Sequence, residues 1–157
     1  MTTASQSIAL VGRHYNEPSF AVRDMMTDRS DPRHCFVFGS NLRGIHGAGA
    51  AKTARAYLGA IPGHGKGFMG SCYAIPTKHG PYENMSLEEL AWYVESFKKV
   101  THRRDTIFHV TAIGTGRAGF THEQIAPLFN GVVCCYLPMA WRRYIAMRGY
   151  PSYSDLG

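Results

Sequence analysis

Residues 36–51 read FVFGSNLRGIHGAGAA, an apolar run followed by glycines and then by the start of an alanine-rich segment. The apolar run Cys35–Phe38 is typical of a strand that is covered on both faces. The segment from Ala48 to Leu58 predicts a helix. We call residues 41–49 the first glycine loop. Because backbone N–H groups at a helix start attract anions, this loop predicts a phosphate site.

Residues 110–120, VTAIGTGRAGF, repeat this pattern. They overlap the end of a predicted strand, Thr106–Ile113, and precede a capping box that starts a helix at Thr121. We call residues 111–120 the second glycine loop. Neither loop is a Walker P-loop, because no Gly-Lys-Ser/Thr follows, and the Gly-x-Gly-x-x-Gly match in the second lies too late in the chain to open a Rossmann unit. Glycines also mark tight turns and close packing, but two such loops after two strands favour a cradle for a phosphate-bearing ligand.

The other elements are predicted from turn signals, capping residues and apolar spacing. Ser86 with Glu89 forms a capping box that starts a helix through Val100. Five glycines in residues 59–70 predict a loop. The remaining predictions are strands at Ile8–Gly12, Ser71–Ile75 (closed by Pro76) and Val132–Leu137, and a helix from Pro138 to about Met147. Alternating strands and helices predict an α/β domain with a mixed or largely parallel sheet, whose ligands bind at the carboxyl ends of the strands.

Length and charge narrow the classes of protein. The 157 residues suit a single domain over 1–157, in which 1–30 carry few structural signals and 148–157 read as a tail. Lys and Arg outnumber Asp and Glu by 17 to 11, which gives a net charge of +6 and favours an anionic partner, nucleotide or nucleic acid. No segment has the apolar length of a membrane span, and the first residues do not resemble a signal peptide, so we expect a cytoplasmic protein without a membrane partner.

The four cysteines show no C-x-x-C pair, so neither a zinc ribbon nor a disulfide framework is indicated. We expect buried free thiols, no metal site and no cofactor. The residues concerned are Cys35, Cys72, Cys134 and Cys135.

Three segments resemble, in the same order, the motifs of macrodomain-type ADP-ribose-binding proteins, and in particular their small phage-associated relatives. The first glycine loop with Ala50 and Ala51 is similar to the asparagine and glycine cluster of that family. Tyr73–Lys78 is similar to its next core strand, and Ile113–Phe120 to its second diphosphate loop. The resemblance implies a three-layer α/β/α sandwich that binds ADP-ribose or a related NAD-derived nucleotide.

The resemblance also implies roles for individual residues. Asn41 would contact the distal ribose, the first loop would place backbone amides on the diphosphate, and the second would clamp it from the other side, with Phe120 near the distal ribose. The expected ligand-binding residues are Gly39, Ser40, Gly44, Gly47, Ala48, Gly49, Thr77, Lys78, Gly114, Thr115, Gly116, Arg117, Ala118, Gly119 and Phe120.

Asn41 and His46 are the candidate catalytic residues. The first loop lacks the acidic residue of many hydrolytic macrodomains, but His46 precedes Gly-Ala-Gly much as a histidine precedes the glycines of viral macrodomains. Asn41 would hold a ribose hydroxyl while His46 or His79 acts as a base towards a water near the anomeric carbon. On this resemblance, hydrolysis of an ADP-ribosyl linkage is a candidate activity beside binding, with an ADP-ribosylated macromolecule as the partner.

Two other classes of function stay open. A binding module would hold or sequester the nucleotide without turnover, as the missing loop acid allows. A nucleic-acid-binding protein would use basic clusters at 102–104 and at Arg142 and Arg143, with Trp141 and Tyr144 as stacking platforms. The competing interpretation of the second cluster is a helix whose Trp141, Tyr144 and Ile145 belong to the core.

Overall fold

The computed structural model describes residues 13–16, 33–102 and 105–145. The predicted strand Ile8–Gly12, the predicted tail and the last residues of the helix predicted to Met147 lie outside this part of the chain, as do Arg103 and Arg104.

Seven strands of the described chain form one mixed sheet. The strands are β1 (Arg13–Asn16), β2 (His34–Asn41), β3 (Gly67–Met69), β4 (Cys72–Gly80), β5 (Glu83–Asn84), β6 (Ile107–Val110) and β7 (Cys135–Pro138). Their order is β1-β7-β6-β2-β4-β3, with β5 paired to β4. Strands β1, β7, β6, β2 and β4 run parallel, whereas β3 and β5 are antiparallel to β4. The helices are α1 (Gly49–Tyr57), α2 (Leu87–Val100) and α3 (His122–Ile125), with 3₁₀ turns at Ala126–Phe129 and Met139–Tyr144.

Strand β2 lies at the centre of the sheet and shows how both faces are covered. Its side chains alternate between faces. Cys35 and Val37 join the hydrophobic cluster that includes α2, and Phe36 and Phe38 join the one that includes α1. The α/β class with a mostly parallel, mixed sheet is therefore confirmed, and helices on both faces are compatible with a three-layer sandwich.

Helix α2 forms as its sequence predicts. The Ser86 hydroxyl accepts a hydrogen bond from the N–H of Glu89, and the Glu89 carboxylate accepts one from the N–H of Ser86. Leu90, Val94 and Phe97 follow at helical spacing and are fully buried. This apolar stripe anchors α2 on the sheet.

Strand β4 is longer than predicted, because it continues through Pro76 to Gly80. Pro76 pairs with Ser40 of β2 on one side. On the other side, the first residue of β3 lies opposite Ala74 and the last residue of β5 lies opposite Lys78, so Pro76 lies between two edge partners, where a proline is tolerated. Strand β3 itself lies within the segment predicted to be a loop.

The other boundaries also differ from the predictions. Strand β6 ends at Val110, because the Ile113 N–H bonds to the Thr111 carbonyl and turns the chain into the second glycine loop. Strand β7 starts only at Cys135, after a residue with a φ of 56°, Cys134. The predicted last helix is a 3₁₀ turn in the described chain, although Trp141 and Ile145 are buried as expected and Tyr144 packs against them in part.

All four cysteines are free thiols. Cys35, Cys72 and Cys135 are buried as predicted, whereas Cys134 is only half-buried. Burial raises the pKa of the Cys72 thiol to about 12 and also raises that of Cys35. These thiols therefore stay protonated near neutral pH. Among the described helices, none has the length and apolar character needed to cross a membrane.

A histidine pair lies where β2 and β6 run side by side. Nδ1 of His34 is 2.8 Å from Nε2 of His109, whose ring also stacks on Tyr136 with centroids 5.0 Å apart. The other ring nitrogen of His109 is buried without a hydrogen-bond partner. Burial, together with the neighbouring His34, lowers the pKa of His109 to about 3. His109 is therefore neutral in the folded protein at pH 7.

We expect His109 to make the fold sensitive to acid. Below pH 6.5, the ordinary pKa of histidine, His109 is protonated in the unfolded chain but stays neutral in the folded chain. The free energy of unfolding therefore falls as the pH drops towards 3. Between pH 7 and pH 4 this residue should remove on the order of 3 kcal/mol from the free energy of unfolding. Urea denaturation of the wild type and of His109→Phe at both pH values tests this. The same loss in both proteins would contradict it.

Candidate functional site

A cleft of about 600 Å³ opens at the carboxyl ends of three neighbouring parallel strands, β6, β2 and β4. The first glycine loop forms one wall between β2 and α1. The second forms the opposite wall between β6 and α3. The turn between β4 and β5 forms the third side. The cleft thus lies where ligands bind in open α/β sheets.

Most of the residues predicted to bind ligand are brought together here. The predicted residues that line the cleft are Gly39, Ser40, Asn41, Gly47, Ala48, Gly49, Thr77, Lys78, Gly114, Thr115, Gly116, Arg117 and Ala118. Four predicted residues lie outside the lining: Gly44, His46, Gly119 and Phe120. The sequence analysis missed other lining residues: Ile45, Ala50, Ala51, Pro81, Tyr82, Thr111, Ala112 and Ile113.

The amino end of α1 lines the cleft without a capping side chain. Ala48 is the N-cap residue and offers no acceptor, and the first turn contains no acidic residue. The first intrahelical bond runs from the Lys52 N–H to the Ala48 carbonyl, 3.2 Å away. The N–H groups of Gly49, Ala50 and Ala51 therefore have no acceptor within the helix, and the positive end of its dipole is exposed to the cleft.

Gly47 and Gly116 lie on opposite walls, and neither packing nor a left-handed φ requires glycine at these two positions. A Cβ built on either would meet no atom within 4 Å, and neither has a left-handed φ. Packing and backbone conformation would thus allow a side chain at both positions. Glycine there keeps the space beside the backbone open, as close approach of a ligand requires.

The charged side chains in the described lining are two cations, Lys78 and Arg117. The Lys78 ammonium donates a hydrogen bond to the carbonyl of Pro81 at 2.7 Å. Arg117 is exposed in the second loop. Together with the amino end of α1 they give the cleft a positive field.

The serine and threonine hydroxyl groups in the lining each donate a hydrogen bond to a backbone carbonyl: Ser40 Oγ to Gly65, Thr77 Oγ1 to Ser40, Thr111 Oγ1 to Val37 and Thr115 Oγ1 to Ala112. They stabilise the walls, and their protons are not available to a ligand in this arrangement.

Asn41 lines the cleft at the end of β2, and its side-chain amide is hydrogen-bonded to the backbone of the first glycine loop. Its Nδ2 donates to the Ile45 carbonyl at 2.9 Å, and its Oδ1 accepts from the Ile45 N–H at 3.2 Å. The side chain is 8% exposed. Asn41 therefore clamps the turn that leads into α1, and its amide keeps one further N–H and one lone pair for a ligand.

His46 points away from the cleft and into the protein. It is 2% exposed and packs edge-on against Phe38. Its Nε2 lies 3.0 Å from the His64 carbonyl and 3.2 Å from that of Ile61, so this nitrogen is the donor. His46 thus fastens the 59–70 segment to the first glycine loop. His79, the other candidate base, pairs outside the cleft with Glu89 at 3.1 Å.

The second loop is closed by its own backbone. The Phe120 N–H bonds to the Gly114 carbonyl and the Gly119 N–H to that of Gly116. The Phe120 side chain packs against the larger hydrophobic cluster. These bonds present Gly116 and Arg117 to the cleft.

The comparisons with known proteins give no match: no family model, no curated protein and no solved structure matches this chain.

We expect Asn41→Ala to destabilise the fold by about 2 kcal/mol, because it removes two hydrogen bonds worth about 1 kcal/mol each. Thr77→Val is the matched control, since it removes one hydrogen bond from the same cleft and keeps the shape of the side chain. Urea denaturation measures both. A loss for Asn41→Ala no larger than for Thr77→Val would contradict the clamp.

Proposed function

We propose that this protein is a macrodomain-like α/β/α protein that binds ADP-ribose, or a related NAD-derived nucleotide, in the cleft at the ends of β6, β2 and β4. The observation that carries the proposal is the pairing of an uncapped helix amino end on one wall with an open glycine loop on the other. Both walls offer backbone to a ligand that lies between them.

A diphosphate suits this arrangement. The N–H groups of Gly49, Ala50 and Ala51 can bind one phosphate where the helix dipole is positive. Gly116 leaves room for the ligand on the other wall, and Lys78 and Arg117 supply positive charge. No carboxylate belongs to the described lining to repel an anion.

The ribose and its linkage fit the role of Asn41 that the resemblance implies. The amide lies at the cleft floor with one N–H and one lone pair uncommitted, which suits a sugar hydroxyl. A ribose bound there would also affect the conformation of the first glycine loop, because the same Asn41 amide hydrogen-bonds to the backbone of Ile45.

The lining favours binding without turnover. General acid–base catalysis needs a titratable group within hydrogen-bond reach of the proton it moves. Within the described lining the titratable side chains are Lys78, Arg117 and Tyr82, and both candidate histidines lie elsewhere. We therefore propose a nucleotide-binding module as the main function, and hydrolysis of an ADP-ribosyl linkage as the alternative.

Nucleic-acid binding by the basic clusters has less support. Trp141, one of its two stacking platforms, is fully buried and donates its Nε1–H to His122 at 3.0 Å. Arg143 lies over the ring of Tyr144, the other platform.

Calorimetric titration with ADP-ribose tests the site, and Gly47→Glu should weaken binding by on the order of 100-fold or more. A carboxylate there enters open space, so the fold tolerates it while a diphosphate is repelled. Gly47→Gln has nearly the same size without charge and separates steric exclusion from repulsion.

Met139→Glu is the control for net charge, because Met139 is exposed and lies outside the cleft. It should bind ADP-ribose as the wild type does. AMP, NAD and a short oligonucleotide complete the ligand panel. A wild type that does not bind ADP-ribose, or equal binding by Gly47→Glu, would rule out the proposed site.

We further expect no turnover when the protein is incubated with an ADP-ribosylated protein and the products are separated by chromatography. Release of ADP-ribose by the wild type would show a hydrolase instead. If release occurs, Asn41→Ala should reduce the rate more than it reduces affinity, whereas His46→Phe should act through stability alone, because His46 does not reach the cleft.

A further inference from the structure

Tyr82 combines two properties that rarely occur together. It lines the cleft, yet it is 94% exposed, more than any other large hydrophobic residue of the described chain. A tyrosine ring left in water costs free energy that contact with a planar ligand would recover.

The ring is carried by a short, fastened turn. Gly80 pairs with Glu83, so Pro81 and Tyr82 form a two-residue connection between β4 and β5. The Lys78 ammonium bonds to the Pro81 carbonyl at 2.7 Å and ties the turn to its own strand. The proline ring restricts the backbone further. Tyr82 is therefore held at the cleft rim with little backbone freedom.

The cleft lining contains apolar side chains in addition to the phosphate cradle. Pro81 and the 45%-exposed Ile45 also belong to the lining and are apolar. The cleft thus offers free N–H groups and positive charge together with apolar side chains and an exposed aromatic ring. A ligand that matches this lining carries an anionic group and a planar, weakly polar ring.

We infer that Tyr82 stacks on the base of the bound nucleotide and is a main source of affinity for the base. This inference rests on the proposed function only in taking the ligand to be a nucleotide. It does not require the distal ribose. Since the serine and threonine hydroxyls of the lining donate to backbone carbonyls, the base is held by its face more than by its edge, and stacking of this kind tolerates different bases.

The experiment compares wild type, Tyr82→Ala and Tyr82→Phe by calorimetry with ADP-ribose, ADP, GDP and pyrophosphate. Tyr82→Ala should weaken all three base-carrying ligands about tenfold and leave pyrophosphate within about twofold. Tyr82→Phe keeps the ring and should stay within about twofold of the wild type. Because Tyr82 is so exposed, Tyr82→Ala should fold normally, as thermal unfolding will show.

Trp92→Ala is the matched control, because Trp92 is an exposed aromatic residue outside the cleft. Its removal should leave the affinity for each of the four ligands unchanged. Tyr82→Trp gives a direct readout: ADP should quench its added fluorescence, and pyrophosphate should not. Unchanged ADP affinity in Tyr82→Ala, or an equal loss of pyrophosphate, would overturn the inference.

The outcomes also separate the two proposals. A wild type that binds ADP but not ADP-ribose, with ADP weakened in Tyr82→Ala, removes the proposed function and keeps the stacking role. If Tyr82→Ala binds ADP-ribose with full affinity, the proposed function stands and the stacking role of Tyr82 is removed. A wild type that binds no base-carrying ligand overturns both.

Discussion

Two backbone segments, 41–44 and 63–65, lie so close together that neither can carry a Cβ where they touch. A Cβ on Gly44 would overlap the backbone of Gly63 and His64, and one on Gly65 would overlap the backbone of Asn41 and Leu42. The contact is tied by the Gly63 N–H to the Gly44 carbonyl and by the hydroxyl of Ser40 to the Gly65 carbonyl. Because the 59–70 segment is packed in this way against the end of β2, the first glycine loop has a fixed path, and the free N–H groups of α1 face the cleft.

The side chains at the site mostly hold its walls, and the backbone is left to meet the ligand. Asn41 and the serine and threonine hydroxyls of the lining bond to main-chain groups, and His46 bonds to carbonyls of the 59–70 segment. At the phosphate cradle, backbone N–H groups, open glycine and two cations are left to face the cleft, and Tyr82 adds an exposed ring at the rim. Such a surface suits the proposed nucleotide, and in the described lining it supplies few groups that could move a proton.

Sequence signals between neighbouring residues predicted the capped helices and the glycine turns of this protein. The features that the sequence did not predict depend on contacts between residues far apart in the chain. The capping boxes of Ser86 and Thr121 and both strand–glycine–helix turns depend on neighbours within a few residues, and the sequence shows them. The direction of the His46 side chain depends on carbonyls 15 and 18 residues away. Its position next to Gly47 in the sequence therefore wrongly indicates a side chain that faces the ligand. Likewise, a strand through Pro76 depends on where the pairing of β4 with β3 and with β5 stops. The place of Tyr82 at the cleft depends on the β4–β5 turn meeting a cleft built by other segments.

Selectivity within the proposed ligand class has to come from outside the phosphate cradle. In the proposed complex, backbone N–H groups, Lys78 and Arg117 would bind the diphosphate of any nucleotide alike. ADP-ribose differs from ADP by its distal ribose, and in the described lining Asn41 is the one side-chain amide that can meet a sugar hydroxyl. That amide already holds Ile45, so a hydroxyl that competes for it would loosen the first loop, whereas one that uses its remaining N–H and lone pair would tighten it. In the proposed complex, recognition of the distal sugar and the geometry of the phosphate cradle would therefore be coupled through one side chain.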